Sequence, residues 1–186
     1  MIREIVIHPD PRLQQKATLV KRFSPPLRRL AKDMLETLYS TDGVGLAGPQ
    51  IGVMERIFVM KLRDEDGDPL GGHKLKGKSL VLVNPEIVAV SEEEEEGIEG
   101  CLSIPEIGAW VTRPIRVIVQ ARNEWGKPKR YDVQGLLARI MQHEIDHLDG
   151  ILYFSRIENQ DKLFPMAALE AEIERIRAER LKEQSL

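Results

Sequence analysis

One cysteine in 186 residues leaves no partner for an internal disulfide. The fold must therefore stand on packing alone, and a reducing, cytoplasmic setting is the expectation. Long hydrophobic runs are missing too. Nothing approaches the ~18 apolar residues needed to cross a bilayer, so no membrane partner is expected. The opening stretch, MIREIVIHPDPRLQQKATLV, has neither the apolar core nor the small-residue cleavage site of a secretory signal. Positive charge is not in excess. The 27 lysines and arginines are outnumbered by 30 carboxylates, for a net charge of -3, which argues against nucleic acid as the main ligand and gives no direct nucleic-acid specificity. No internal repeat and no second domain is evident. At 31% charged and 42% hydrophobic, the chain reads as an ordinary globule able to bury roughly 70% of its unfolded surface.

Along the chain, residues 25–40, PPLRRLAKDMLETLYS, predict a helix: proline stands at its start, and Leu27, Leu30, Met34, Leu35 and Leu38 recur at helical spacing. TDGVGLAGPQIGV is too glycine-rich for helix and leads into a strand, RIFVMKL. Residues 63–79 are polar and turn-rich and read as a long hairpin loop, carrying a lone exposed histidine, His73. SLVLVNPEIVAV and WVTRPIRVIVQARN are further strands, the second turning through EWGKPKR into YDVQ. SEEEEEG reads as a solvated strand end whose like charges keep its edge from pairing. GLLARIMQHEIDHLDG is helical, with Gly150 suited to the position after its C-cap. ILYFSRI reads as one more short strand, and from Pro165 onward Leu169, Ile173 and Ile176 mark an amphipathic terminal helix. The fold class is α+β: short, largely antiparallel strands around one central helix, flanked by an N-terminal and a C-terminal helix. Residues 1–164 are expected to form one domain, with 165–186 packed on it or extending from it.

Histidine is scarce, and two of the four histidines sit in QHEIDH. His143 and His147, four apart on a helix, aim two imidazoles at one point, with Glu144 beside the first. This is the H-E-x-x-H arrangement of metal hydrolases, in which the glutamate acts as general base. The apolar residues around it, Leu136, Leu137, Ile140, Met141 and Leu148, suggest a mostly buried helix, where polar groups need partners. A catalytic centre takes three protein ligands and an open position. Downstream stand Asp149, Glu158 and later helical residues, with no third histidine. Upstream, EGCLSIP offers Cys101 in a tight, non-helical segment, though a free cysteine is also commonly a small buried hydrophobe.

GVGLAGPQ (43–50), EGCLS (99–103) and QHEIDH (142–147) together resemble the three signature motifs of peptide deformylases, in the right order. DPRLQQKA near the start and the helix before GVGLAGPQ extend the likeness over most of the chain. The resemblance implies that Cys101, His143 and His147 bind a metal, ferrous iron with Zn2+, Ni2+ or Co2+ as substitutes. It implies that Glu144 is the catalytic carboxylate, and that Gln50 and the backbone amide of Leu102 hold the oxygen of the scissile carbonyl. Val44, Gly45, Leu136 and Ile140 would line the pocket for the methionine side chain of N-formylmethionyl nascent peptides. Two positions depart from the family. Ala47–Gly48 stands where two alanines are usual, loosening the segment before Gln50, and Arg139 occupies a pocket position from which it would snorkel to the rim. Glu99 and Arg113 form a candidate ion pair bracing the cysteine loop. In some relatives the terminal helix contacts the ribosome. Here residues 170–186 hold five glutamates against four basic residues, so such contact is at most transient. DEDGD (64–68) is no calcium loop: its sixth position is Pro69 and its twelfth Leu75.

Overall fold

The computed structural model describes residues 1–62, 79–169, 171, 173 and 174. The first long element is helix α1, Pro25–Tyr39, with proline in its first turn, where a missing amide hydrogen costs nothing. Leu27, Ala31, Met34 and Leu38 form its buried stripe. Its C-terminal carbonyls are met by a buried cation: Lys61 Nζ donates to Leu38 O (3.3 Å) and Thr41 O (2.8 Å), the charge sign that a helix C-terminus favours.

Five antiparallel strands form the larger sheet, in the order β1 (Gly45–Ala47), β2 (Ile57–Lys61), β3 (Ser79–Val90), β6 (Arg116–Arg122) and β7 (Pro128–Gln134). Every residue of β2 is buried, and strand alternation explains how. Ile57 and Val59 pack with Leu27, Ala31, Met34 and Leu38 of α1. Phe58 and Met60 pack instead with Leu137, Met141, Ile145 and Leu148. These belong to the second helix, α2 (Leu136–Leu148). The sheet is therefore sandwiched between the two helices. A smaller sheet of β4 (Glu94–Cys101), β5 (Ile104–Pro114) and β8 (Leu163–Pro165) carries a third cluster, which includes Cys101, Val111 and Tyr153.

Both ends of α2 need special backbone. Gly135 precedes it at φ 62°, and Gly150 follows the C-cap Asp149 at φ 74°. A side chain at Gly150 would also stand 2.7 Å from the carbonyl oxygen of Gln14, so glycine is required there twice over. Arg56 closes this end as Lys61 closes α1, donating to Leu148 O (3.1 Å) and Asp149 Oδ1 (2.6 Å).

Several expectations are corrected. The single strand expected over 110–123 is two, β5 and β6, in different sheets. The break falls at Pro114, which has no amide hydrogen to continue a ladder. Glu94, Glu95 and Glu96 do pair, opposite Pro114, Arg113 and Thr112, while among the described residues no strand pairs with the other side of β4. The glycine-rich 43–50 segment supplies strand β1 and then a 3-10 turn, Gly48–Ile51. The strand expected at 151–157 is a 3-10 turn, Tyr153–Arg156, drawn inward because Tyr153 donates to Ile107 O (2.6 Å) and Arg156 binds Asp146. Pro165 belongs to β8, a turn follows at Met166–Ala168, and helical backbone appears at Leu169, Ala171, Ile173 and Glu174. The loop over 63–78, with DEDGD and His73, and the rest of the terminal helix lie outside the described residues.

Candidate metal centre

Helix α2 carries His143 and His147 one turn apart, their ring centroids 4.9 Å from each other and their planes at 78°. Cys101 ends β4 immediately before a tight reversal, in which it pairs with Ile104. That reversal delivers its Sγ to within 3.2 Å of His147 Nε2. One ligand atom from each of Cys101, His143 and His147 lies within 4.8 Å of the others. The chemistry of the set, one thiolate and two imidazoles with room for a fourth ligand, suits a divalent transition metal. Among the described residues, two buried polar atoms find no hydrogen-bond partner at this spot, Glu144 Oε2 and His147 Nδ1. Buried groups left so are expensive unless something else satisfies them.

The surrounding charges set the ligands' protonation. His143 Nδ1 pairs with Glu99 Oε2 at 2.8 Å, which fixes the tautomer and leaves Nε2 directed at the cluster. Glu99 is itself clamped, by Arg113 (2.5 and 2.8 Å) and by Arg139 (3.0 Å). Burial works against its ionisation, but Arg113 and His143 prevail and hold its carboxyl down at about 2. Cys101 is similar: burial opposes the thiolate, yet the imidazoles of His147 and His143 hold the thiol well below its ordinary range. The same contacts, with Cys101 and Glu99 as the anions, outweigh burial and raise His143 well above its ordinary value. Without a metal the pocket thus favours a thiolate beside a protonated His143, so ligation would release the imidazole's proton.

Behind His143, Tyr153 lies nearly parallel to the imidazole, with ring centroids 5.9 Å apart. Arg113 also reaches Asp146 (2.9 Å). The pair expected between Glu99 and Arg113 is therefore present, fully buried, and extended through Asp146 to Arg156. Sequence reading missed Asp146, Arg156, Tyr153 and Ser103. Asp146 alone carried a signal, as a charged residue on the buried face of a helix.

Glu144 is buried, and desolvation pushes its carboxyl up to about 7. It stands against β1: a side-chain carbon at Gly45 would fall 2.2 Å from Glu144 Oε1, so only glycine leaves it room. Gln50 is also buried. Its Oε1 accepts from Ala47 N–H (2.8 Å), which turns Nε2 toward Cys101 Sγ and Ser103 Oγ, both 3.4 Å away. Gly48 does not loosen this segment. A side chain there would lie 2.7 Å from Val53 O and 2.8 Å from Glu55 O, so the glycine permits a turn too tight for alanine.

A cavity of ≈ 390 Å³ opens onto these groups. Val44, Gly45, Leu136 and Ile140, the residues expected to line a pocket, all line it, together with Gln50, Leu102 and Glu144. His147 does not; it lies behind. Arg139 lines the cavity too, as its pocket position implies, but departs from expectation in where its guanidinium goes. It does not reach for the rim but turns inward, donating to Val111 O (2.7 Å) and Glu95 O (2.7 Å) as well as to Glu99. Three acceptors on β4 and β5 outcompete water because the guanidinium's several donors can be met at once.

A family model described as polypeptide deformylase matches residues 2–163. The peptide deformylase of Natranaerobius thermophilus is 41% identical over 157 residues, covering 84% of this chain and 93% of that protein. That of a Picosynechococcus species is 45% identical over 151 residues, covering 81% and 76%. Among solved structures, peptide deformylase from Ehrlichia chaffeensis superposes with a TM-score of 0.79 at 34% identity, covering 97% of each chain. The enzyme from Synechococcus elongatus, in complex with actinonin, gives 0.76 at 39% identity, covering 86% of this chain and 81% of its own.

Proposed function

The chain belongs to the polypeptide deformylase family and carries its activity, metal-dependent hydrolysis of the N-terminal formyl group of N-formylmethionine; on that premise we propose how its own residues divide the work. Cys101, His143 and His147 hold ferrous iron, for which zinc, nickel or cobalt can substitute. When bound, the cation supplies the Lewis acidity that ionises water near neutral pH. Glu144 takes the proton from the attacking water and passes it to the departing amine. Gln50 Nε2 and the backbone amide of Leu102 donate to the formyl oxygen, where negative charge grows toward the transition state. Val44, Gly45, Leu136 and Ile140 receive the methionine side chain. The substrates are nascent chains in the cytoplasm.

The observation that supports this reading is the convergence of three ligand atoms within 4.8 Å, directly beside a buried carboxylate whose Oε2 has no partner. Formate release from formyl-Met-Ala-Ser tests it. A chelator should abolish turnover, and Fe2+ added without oxygen should restore it. Cys101→Ser should bind metal ~100-fold more weakly, at least the range of changes one shell further out. Turnover that survives complete metal removal, or unchanged metal content in the serine variant, would overturn the assignment.

A further inference from the structure

Averaged over the chain, the charge is slightly negative, but at the tip of the β6–β7 hairpin it is not. The turn is rigidly built. Asn123 Oδ1 accepts from the backbone amides of Trp125 (3.1 Å) and Lys127 (2.9 Å), and Asn123 O accepts from Gly126 N (2.9 Å). Gly126, at φ 83°, is seated on Phe23, whose ring a side chain there would meet at 3.0 Å. The guanidinium of Arg122 lies over the same ring, 5.9 Å from its centroid.

On this fixed turn, residues 122–130 hold four cations, Arg122, Lys127, Lys129 and Arg130, against one carboxylate, Glu124. All four cations are exposed, and the described residues place no carboxylate within ion-pair reach of any of them. Arg3, Arg56, Arg113, Arg116 and Arg156, by contrast, each meet one. Among the cations stands Trp125, 59% exposed. Lys21 and Arg22, also exposed, lead into Phe23 and so add charge near this corner. The acidic run at 92–96 lies in the other region, at and before β4 of the smaller sheet.

Trp125 shares a groove with Lys129 and Arg130, and with Glu124 and Asp132, and exposed cations without a carboxylate partner beside a large, flat ring fit one class of partner best. Phosphodiesters meet the cations, and an unpaired base stacks on the indole. We propose that the β6–β7 hairpin tip is a docking surface for single-stranded RNA. A lipid surface would call for exposed apolar side chains around the indole, and Leu35, Leu80 and Tyr131, which share its groove, are partly buried. An acidic protein segment would satisfy the cations while leaving the ring in water. None of these residues lines the catalytic cavity, so docking here would hold the enzyme beside RNA without entering its chemistry.

The test is fluorescence anisotropy of a labelled, mixed-sequence 12-nucleotide single-stranded RNA with the whole protein, between 50 and 200 mM salt. With three to four phosphates engaged, log affinity should fall against log salt with a slope of about -2 to -3. Trp125→Ala should weaken binding by ~10-fold and leave that slope unchanged. The double change Lys129→Glu and Arg130→Glu should weaken it at least as much and flatten the slope by about one. Both variants should release formate at the unaltered rate, which shows them folded and keeps this question apart from the catalytic one. No binding at 50 mM salt would overturn the proposal. So would binding that ignores either variant, or binding to phosphatidylglycerol vesicles in place of RNA.

Discussion

Helices α1 and α2 cover opposite faces of one sheet, each laying an apolar stripe on alternate residues of β2. Both also bury polar side chains, and there they part. On α1 the buried pair is satisfied: Thr37 Oγ1 donates to Asp33 O (2.8 Å) and accepts from Arg3 N (2.8 Å), while Asp33 meets the Arg3 guanidinium. On α2, Gln142 and Asp146 are equally well partnered. Glu144 Oε2 and His147 Nδ1 are not. Polar burial alone does not separate a scaffold helix from a functional one. What separates them is the unmet capacity of Glu144, which lines the cavity, where an entering group can answer it.

The largest effect that would break this contrast is in Glu144→Gln. Turnover should drop at least ~100-fold with metal content intact, since the amide fills the space but cannot accept the proton. Stability should move the other way. In the metal-free protein, burial raises this carboxyl from an ordinary 4.5 to about 7, so folding favours its neutral form. That contribution is fully present below about pH 4.5 and is lost as pH rises through about 7. The glutamine variant has no such loss. Its advantage over the metal-free parent should therefore grow by about 3 kcal/mol between pH 4.5 and 8. Parallel pH–stability curves for the two, followed by urea unfolding, would contradict the assignment of Glu144 as an uncompensated buried acid.

On α1 the opposite signature is expected. Met34 is fully buried against the sheet and does not line the cavity. Met34→Ala should cost about 2–5 kcal/mol of stability through lost burial and the cavity left behind. Formate release per folded molecule should stay unchanged at a temperature where the variant is folded. A fall in kcat matching that of the Glu144 variant would show that the two helices are not separable as scaffold and site.

How much of this was legible beforehand follows the same division. Residues whose spacing carries the message were readable: the α1 stripe at 25–40, the pair His143 and His147, and Gly150 at its turn all stand where periodicity put them. Cys101 was readable only as a candidate, because convergence of β4 on α2 depends on a sheet pairing that no local pattern encodes. The same holds for strand 110–123. Pro114 was the one local hint of a break, and that its two flanks lie in different sheets follows only from the different partners of β5 and β6. The Gly48 reading erred because conformational freedom was weighed without the neighbouring carbonyls of Val53 and Glu55, which are what make glycine necessary. Arg139 erred in the same way: its acceptors, Glu95 O, Val111 O and Glu99, come from two other strands.

The smallest effect sharpens the comparison within α2 itself. Leu136 and Ile140 are one turn apart and both line the cavity, yet Leu136 is 50% exposed and Ile140 only 7%. Ile140 is also part of the core cluster under the sheet, so its truncation mixes lost stability with any change in substrate binding. Leu136 offers the cleaner test of the methionine pocket. Leu136→Ala should leave thermal stability within about 0.5 kcal/mol, as for most surface changes. If the substrate's side chain covers this leucine, removing three carbons of contact should raise KM several-fold with kcat nearly unchanged, the pattern of binding energy shared by ground and transition states. A formyl-norleucine substrate should suffer the same penalty, since the contact is with chain carbons rather than sulfur. A formyl-alanine substrate, too short to reach the leucine, should suffer none. Equal penalties for all three would move the pocket away from this end of the helix.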